Sequence, residues 1–176
     1  MKIPPFGYST DEIRGELGKL RVSMSIAVIR AKNPFNVGAI IRAAHSFLVR
    51  EIFLVGVEPF YERAAMGMQK YETIVECATA ADFLRATAGR PLVGIERDRA
   101  NVSLWEARLA DEAVLVFGSE DEGVPDEILD ACAEVVAIPM YGINHSFPVT
   151  VAAGIAMAEW ARRRDPRGRL GPPPLT

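Results

Sequence analysis

Apolar and polar positions alternate along this chain with two different periods, and the switches between them divide it into elements. Residues 25–30 are rich in β-branched and apolar side chains and predict a buried strand. The Asn33-Pro34 turn follows, and over residues 37–48 the apolar positions recur at helical spacing. Residues 51–57 then predict a second strand, so the opening reads as a βαβ unit. A less regular, Met-containing stretch over residues 60–76 precedes a helix over 80–87 and a strand over 91–95. Another strand over 113–117 stops at Gly118, residues 124–131 predict a helix, and residues 134–138 predict a strand ending at Pro139. A long helix, Val149–Arg164, closes the pattern. This alternation predicts an α/β fold with a mostly parallel sheet and helices on both faces. Residues 1–22, with Pro4, Pro5 and Gly7, read as a leader, residues 23–164 as one domain, and residues 165–176 as a flexible tail.

Composition narrows the class. With 176 residues, 49% of them hydrophobic, the chain can bury one substantial core. The apolar run over residues 152–158 is broken by Glu159 too early to span a bilayer, and the N-terminus lacks a basic-then-apolar signal pattern, so a soluble cytoplasmic protein with no membrane partner is expected. Cys77 and Cys132 stand far apart among aliphatic neighbours, without C-x-x-C or paired His spacing. They read as small core residues, and no metal is expected. A formal charge of -3 argues against a general basic coat for nucleic acid. Two local basic patches are left as candidates: Arg14, Lys19 and Arg21 in the leader, and Arg162, Arg163, Arg164, Arg167 and Arg169 near the end. The second reads equally well as cations at a helix C-terminus.

Three segments carry candidate chemistry. In N-P-F-N-V-G-A-I-I-R (residues 33–42) a polar turn runs into a helix; Asn36 is a candidate N-cap, Gly38 allows a backbone or ligand to approach, and Arg42 projects one turn beyond it. Such a strand end suits a phosphate or ribose, although a capped helix with a solvated Arg would look the same. In V-F-G-S-E-D-E-G-V-P (residues 116–125) a hydrophobic strand ends in an acidic loop, Glu120, Asp121 and Glu122, bracketed by Gly118 and Gly123. Its spacing is neither that of a Walker loop nor that of an EF-hand. In I-P-M-Y-G-I-N-H-S-F-P-V-T-V-A-A-G-I (residues 138–155) a loop with Gly142 and Asn144 leads to Ser146 as N-cap and Pro148 in the first helical turn, and Ala152, Ala153 and Gly154 permit close packing. His45 and His145 read as hydrogen-bonded or surface residues rather than catalysts.

In this order and spacing the three segments resemble the N-x-G-x-x-x-R, F-G-x-E-x-x-G and I-P-M-x-G-x-x-x-S-L-N-V-S motifs of SpoU/TrmH-type RNA 2'-O-methyltransferases of the SPOUT superfamily, over residues 23–164. The resemblance implies a C-terminal trefoil knot that holds S-adenosylmethionine in a bent shape. Carried over residue by residue, it implies cofactor contacts at Gly118, Ile138 and Phe147, with Gly142 and Ser146 beside them. It places Asn36, Arg42 and Glu120 at the reaction centre. Arginine is a poor free base, so Arg42 is read as orienting the ribose hydroxyl or contacting phosphate. Proton removal is left between a substrate phosphate, a water and a strongly perturbed Arg. Glu120 is read as holding Arg42 or Asn36 in place. The resemblance further implies an RNA partner, tRNA ahead of ribosomal RNA, and a homodimer.

The third segment departs from the pattern. Phe147, Pro148 and Thr150 replace the motif's Leu, Asn and second Ser. Proline offers neither a side-chain amide nor a backbone donor, so any contact of that Asn is lost unless Asn144 supplies it. A weakened, RNA-binding relative that keeps the knot is therefore the alternative reading. A Rossmann-type dinucleotide enzyme is disfavoured because the first turn has no G-x-G-x-x-G.

Overall fold

The computed structural model describes residues 7–30 and 33–164; the tail expected over 165–176 lies outside them. Strands β1 (Ser25–Ile29), β2 (Ile52–Val55), β3 (Ile74–Cys77), β4 (Leu92–Ile95), β5 (Val102–Ser103), β6 (Val114–Phe117) and β7 (Glu134–Ala137) form one sheet in the order β3-β2-β1-β6-β4-β7-β5. Every pairing between these strands is parallel. The helices are α1 (Thr10–Gly18), α2 (Pro34–Ser46), α3 (Ala80–Ala86), α4 (Asp126–Asp130) and α5 (Val149–Arg164). This is the α/β architecture that the alternation predicts.

Two-residue periodicity sends each central strand into two cores. Ile26 and Val28, Ile52 and Leu54, and Leu115 and Phe117 join Val37, Ile40, Ile41, Ala153, Ala156 and Met157 of α2 and α5 in the larger one. The intervening Ala27, Phe53, Val55, Val114 and Val116 pack with Ala80 and Phe83 of α3 and Ile128 and Leu129 of α4. Strands buried on both faces need apolar residues at every position, which is why they read as continuous runs. Each fully buried Ile, Leu, Val or Phe contributes about 1.5–3 kcal/mol. Cys77 lies in the second core with Cys132 packed against it, and burial raises both thiol pKa values, that of Cys132 to about 11.

Several boundaries moved from those expected. The helix α2 is capped by Asn33, whose side chain accepts from Phe35 N at 3.1 Å, and it begins at Pro34. Asn36 is thus inside the first turn and is not the cap, because Pro34 is preorganised for the first helical position and lacks the N–H that a cap would have to satisfy. Likewise α5 begins at Val149 behind Pro148, whose carbonyl accepts from Val151 N and Ala152 N, so Ser146 is not its cap. The irregular stretch resolves into 3-10 turns at Glu62–Ala65 and Met68–Lys70 followed by β3. Strand β3 is an edge strand with Glu76 exposed, which blurs its apolar run. In the leader, Ser9 and Glu12 form a reciprocal capping box for α1. Arg21, just beyond α1, donates to buried Glu72 at 2.7 Å and to Val49 O at 2.5 Å and so ties this segment to the strands that follow. Glu72 also pairs with His45 Nδ1 at 2.7 Å, a structural role for that histidine. No helix among the described residues is long and apolar enough to cross a membrane.

Candidate functional site

The chain runs outward from β1 through β2 to β3, then crosses to β4 on the far side of β6. The order therefore reverses at the β1/β6 boundary, and in parallel α/β sheets the carboxyl ends at such a switch point leave a crevice between diverging loops. A cleft of about 680 Å³ opens here, walled by the loops that follow β4, β6 and β7 and by the start of α5. That volume lies within the range of small-molecule sites.

The loop after β6 is the most constrained wall. Ser119 and Gly123 exchange two backbone hydrogen bonds of 3.0 Å, and Glu122 N donates to Ser119 Oγ at 3.0 Å. Gly123 has φ +68°, a conformation that favours glycine. A Cβ on Gly118 would overlap the Gly123 carbonyl carbon and stand 2.5 Å from Val124 N. Gly118 is therefore fixed by backbone packing, whereas a Cβ on Gly123 would stand 2.5 Å from Glu96 Oε2, and both glycines line the cleft. Phe117, Val124, Leu129, Ile138 and Phe147 give an apolar lining, while Glu96, Asp98, Glu120 and Glu122 ring it with carboxylates.

Of the expected cofactor residues, Gly118, Ile138, Ser146 and Phe147 all line this cleft; Gly142 does not. Gly142 sits on the exposed outer part of the loop, and Asn144 there spends its amide on Ser146 O at 3.2 Å. Chain spacing put Gly142 near the motif, but the loop bulges away from the sheet at that point.

A small second cavity adjoins the cleft. Asn33, Asn36, Val37 and Ile40 of the α2 entry face Gly118, Ser119, Glu120 and Val149 across it. The structure thus brings Asn36 and Glu120 together, as the motifs suggest, but not Arg42. Arg42 is exposed on α2 and lines neither cavity, and Glu120 makes no hydrogen bond to it or to Asn36 among the described residues. Gly38 is occupied by protein, since a Cβ there would stand 2.5 Å from Tyr61 O and 2.9 Å from Ala64 Cβ. Its smallness serves the packing of α2 on the 3-10 turn.

Sequence reasoning missed the β4 loop, Glu96 to Arg99, which forms one wall. Arg97 Nη1 donates to the carbonyl of His145 and so bridges the two sides. Arg99 pairs with Asp126 at 2.7 Å and Asp130 at 2.8 Å, fixing the loop to α4. The signal was present as a charged run directly after a predicted strand. Of the terminal basic patch, Arg167 and Arg169 lie outside the described residues; Arg162 and Arg163 both bind Glu159 at 2.8 Å, Arg163 also donates to Leu104 O, and Arg164 stacks on Trp160 at 4.0 Å. Those hydrogen bonds, Arg162's first, hold the Glu159 carboxyl down at about 2.

Comparison with known proteins places this geometry. An uncharacterized tRNA/rRNA methyltransferase of Mycolicibacterium vanbaalenii is 28% identical over 173 residues, covering 93% of this chain and 55% of the relative. An uncharacterized tRNA/rRNA methyltransferase of Mycobacterium leprae is 27% identical over 176 residues with the same coverage. The chain thus spans about half the length of the curated relatives it matches. Among solved structures, the TrmH/SpoU tRNA modifying enzyme of A. aeolicus superposes with a TM-score of 0.78 at 27% identity, over 90% of this chain and 84% of that one. A structure concerning 2-OH methylation of C/U34 on tRNA gives 0.74 at 27% identity, over 83% and 97%. The AdoMet-bound rRNA methyltransferase of Sinorhizobium meliloti gives 0.72 at 28% identity, over 85% and 60%. The SpoU rRNA Methylase family matches residues 23–158, from just before β1 into α5 and across all three motif segments, and the chain belongs to that family.

Proposed function

We propose that this chain transfers a methyl group from S-adenosylmethionine to a ribose 2'-hydroxyl of RNA, tRNA ahead of ribosomal RNA, and that it works as a homodimer. The observation that carries the reading is the convergence of Gly118, Ile138, Ser146 and Phe147, from segments distant in the chain, on one cleft of about 680 Å³. The lining suits this cofactor. The backbone at Gly118 lies on the cleft wall, the aromatic and aliphatic side chains offer an adenine wall, and the carboxylates complement a cationic sulfonium and ammonium. When bound, S-adenosylmethionine supplies an electrophilic methyl.

The chain's own task is to align a weakly acidic alcohol with that methyl and to accommodate loss of its proton. Asn36 and Glu120 both line the small cavity beside the cleft, and in this reading they orient a ribose bound at its mouth. Arg42 orients the hydroxyl or its phosphate; since it lies off both cavities, it acts in this reading from a second copy. Apolar surface for such a copy exists beside the cleft at Tyr141 and Ile143, 94% and 100% exposed, and at Val151 on α5. The trefoil knot belongs to the same reading, supported by family membership and by the superposition on the A. aeolicus enzyme.

The test is twofold. Calorimetric titration with S-adenosylmethionine is expected to give one site per chain. Incubation with radiolabelled cofactor and separate tRNA and rRNA pools is expected to label tRNA in alkali-resistant dinucleotides, the mark of a 2'-O-methyl group. Label in alkali-sensitive nucleotides would mean base methylation, and binding without any transfer would establish the weakened RNA-binding relative instead.

A further inference from the structure

Phe35 and Tyr61 stack on each other at the protein surface, with ring centroids 6.3 Å apart and planes inclined by 23°. They are 55% and 45% exposed and adjacent, where apolar residues scattered singly would need no explanation. The pair is held firmly from below. Tyr61 N donates to Pro34 O at 2.9 Å, Tyr61 O sits against Gly38, and Phe35 N is bound to the Asn33 cap. The backbone that carries both rings is therefore fixed, and the rings stack on each other above it.

Its surroundings identify what it would take. Phe35 lies between Asn33 and Asn36, both of which line the small cavity facing Gly118 and Glu120. Arg42 follows Phe35 by seven residues, two helical turns, so it projects from the same face about 10 Å further along α2. Arg63 follows Tyr61 on the 3-10 turn. Both arginines are exposed and form no ion pair among the described residues, in contrast to Arg162 and Arg163, which are spent on Glu159. Glu62 is the one carboxylate between Tyr61 and Arg63 in sequence. An aromatic face beside the uncommitted guanidinium of Arg63 complements an unstacked base with its adjacent phosphate, without drawing on Arg42, which the reading above assigns to the ribose site of a second copy.

We infer that Phe35 and Tyr61 form a stacking site for an unpaired nucleobase of the RNA strand, next to the ribose site. This rests on the functional reading above and adds a substrate requirement: the target region must be single-stranded or able to splay a base. Stacking is sequence-tolerant, so the site sets strand geometry more than base identity.

The experiment uses the whole protein and a single-stranded RNA of about ten nucleotides bearing 2-aminopurine at its centre, a length that covers one stacking groove. Wild-type protein is expected to quench the fluorophore on binding. Phe35→Ala and Phe35→Leu are each expected to weaken binding about 5- to 50-fold and to abolish quenching, while Phe35→Trp retains both. Arg63→Ala is expected to lower the slope of log affinity against log salt by about one. Affinity for S-adenosylmethionine is expected to stay constant throughout, showing that the variants are folded. Wild-type quenching or affinity in Phe35→Leu, or failure of the wild type to bind the probe, overturns the proposal. So does a Phe35→Leu variant that shifts the monomer–dimer balance in sedimentation while binding RNA normally, since the platform would then be a protein interface. Because quenching is read without methyl transfer, an inactive protein that still quenches would sink the enzymatic reading and leave the stack standing.

Discussion

The loop after β6 and the outer face of α2 come from two motif segments of the same family, yet they are built in opposite ways. In the loop, two backbone hydrogen bonds, a positive φ and a glycine with no space for Cβ leave one conformation. On α2, Phe35 and Arg42 stand in solvent with their neighbours' polar groups already satisfied. In the proposed function the difference separates two tasks. A small, invariant cofactor can be met by a wall completed within one chain. A polynucleotide is met by groups left uncommitted until it arrives, at the cost of ordering them on binding.

The contrast can be broken from the rigid side first. Gly118→Val is expected to bring the largest effect, weakening S-adenosylmethionine more than about 100-fold in calorimetry and lowering stability by about 1–3 kcal/mol, because the new side chain must displace the 123–124 backbone. Retained binding would show that this loop does not shape the site. From the open side, Arg42→Ala is expected to reduce single-turnover methyl transfer by about 100-fold while leaving cofactor affinity untouched. A matching loss of cofactor affinity would place Arg42 in the cleft after all. Mixing Arg42→Ala protein with a Gly118→Val partner should restore some activity if the site spans two copies.

Both halves depend on α5, whose end is anchored by Glu159 between Arg162 and Arg163. Its folded pKa is depressed from 4.5 to about 2, so its stabilisation is fully present above pH 4.5 and is lost as pH falls toward 2. Glu159→Gln is therefore expected to lower stability at neutral pH by about 1–3 kcal/mol, and to flatten the acid limb of the unfolding curve over that window. An unchanged acid limb would refute the anchor. The smallest effect is expected from Arg97→Ala, which removes the bridge to His145 O. About a 2- to 10-fold faster cofactor dissociation in stopped flow is the expected result.

Much of this was legible beforehand where chemistry is local. Continuous apolar runs marked the buried strands, and the Gly118 loop and the strand end at Ile138 were visible as glycine and proline punctuation. The legible part weakened wherever a residue's meaning depended on a distant neighbour. Gly38 reads as an opening for a ligand until Tyr61 O is found against it. Arg162 and Arg163 read as part of a basic patch until Glu159 and the Leu104 carbonyl claim them. Phe35 and Tyr61, with β2 between them, carry no joint signal at all.

By itself, then, the sequence determined the α/β alternation, the family and the three segments that meet at the carboxyl ends of the sheet, since these follow from periodicity and from residue types that tolerate few backbone conformations. Only the tertiary structure decided which glycines face a ligand and which face protein, which arginines are spent, and that Arg42 stands apart from Asn36 and Glu120. Those are questions of what lies opposite a side chain, and parallel strand order, not chain spacing, settles what lies opposite.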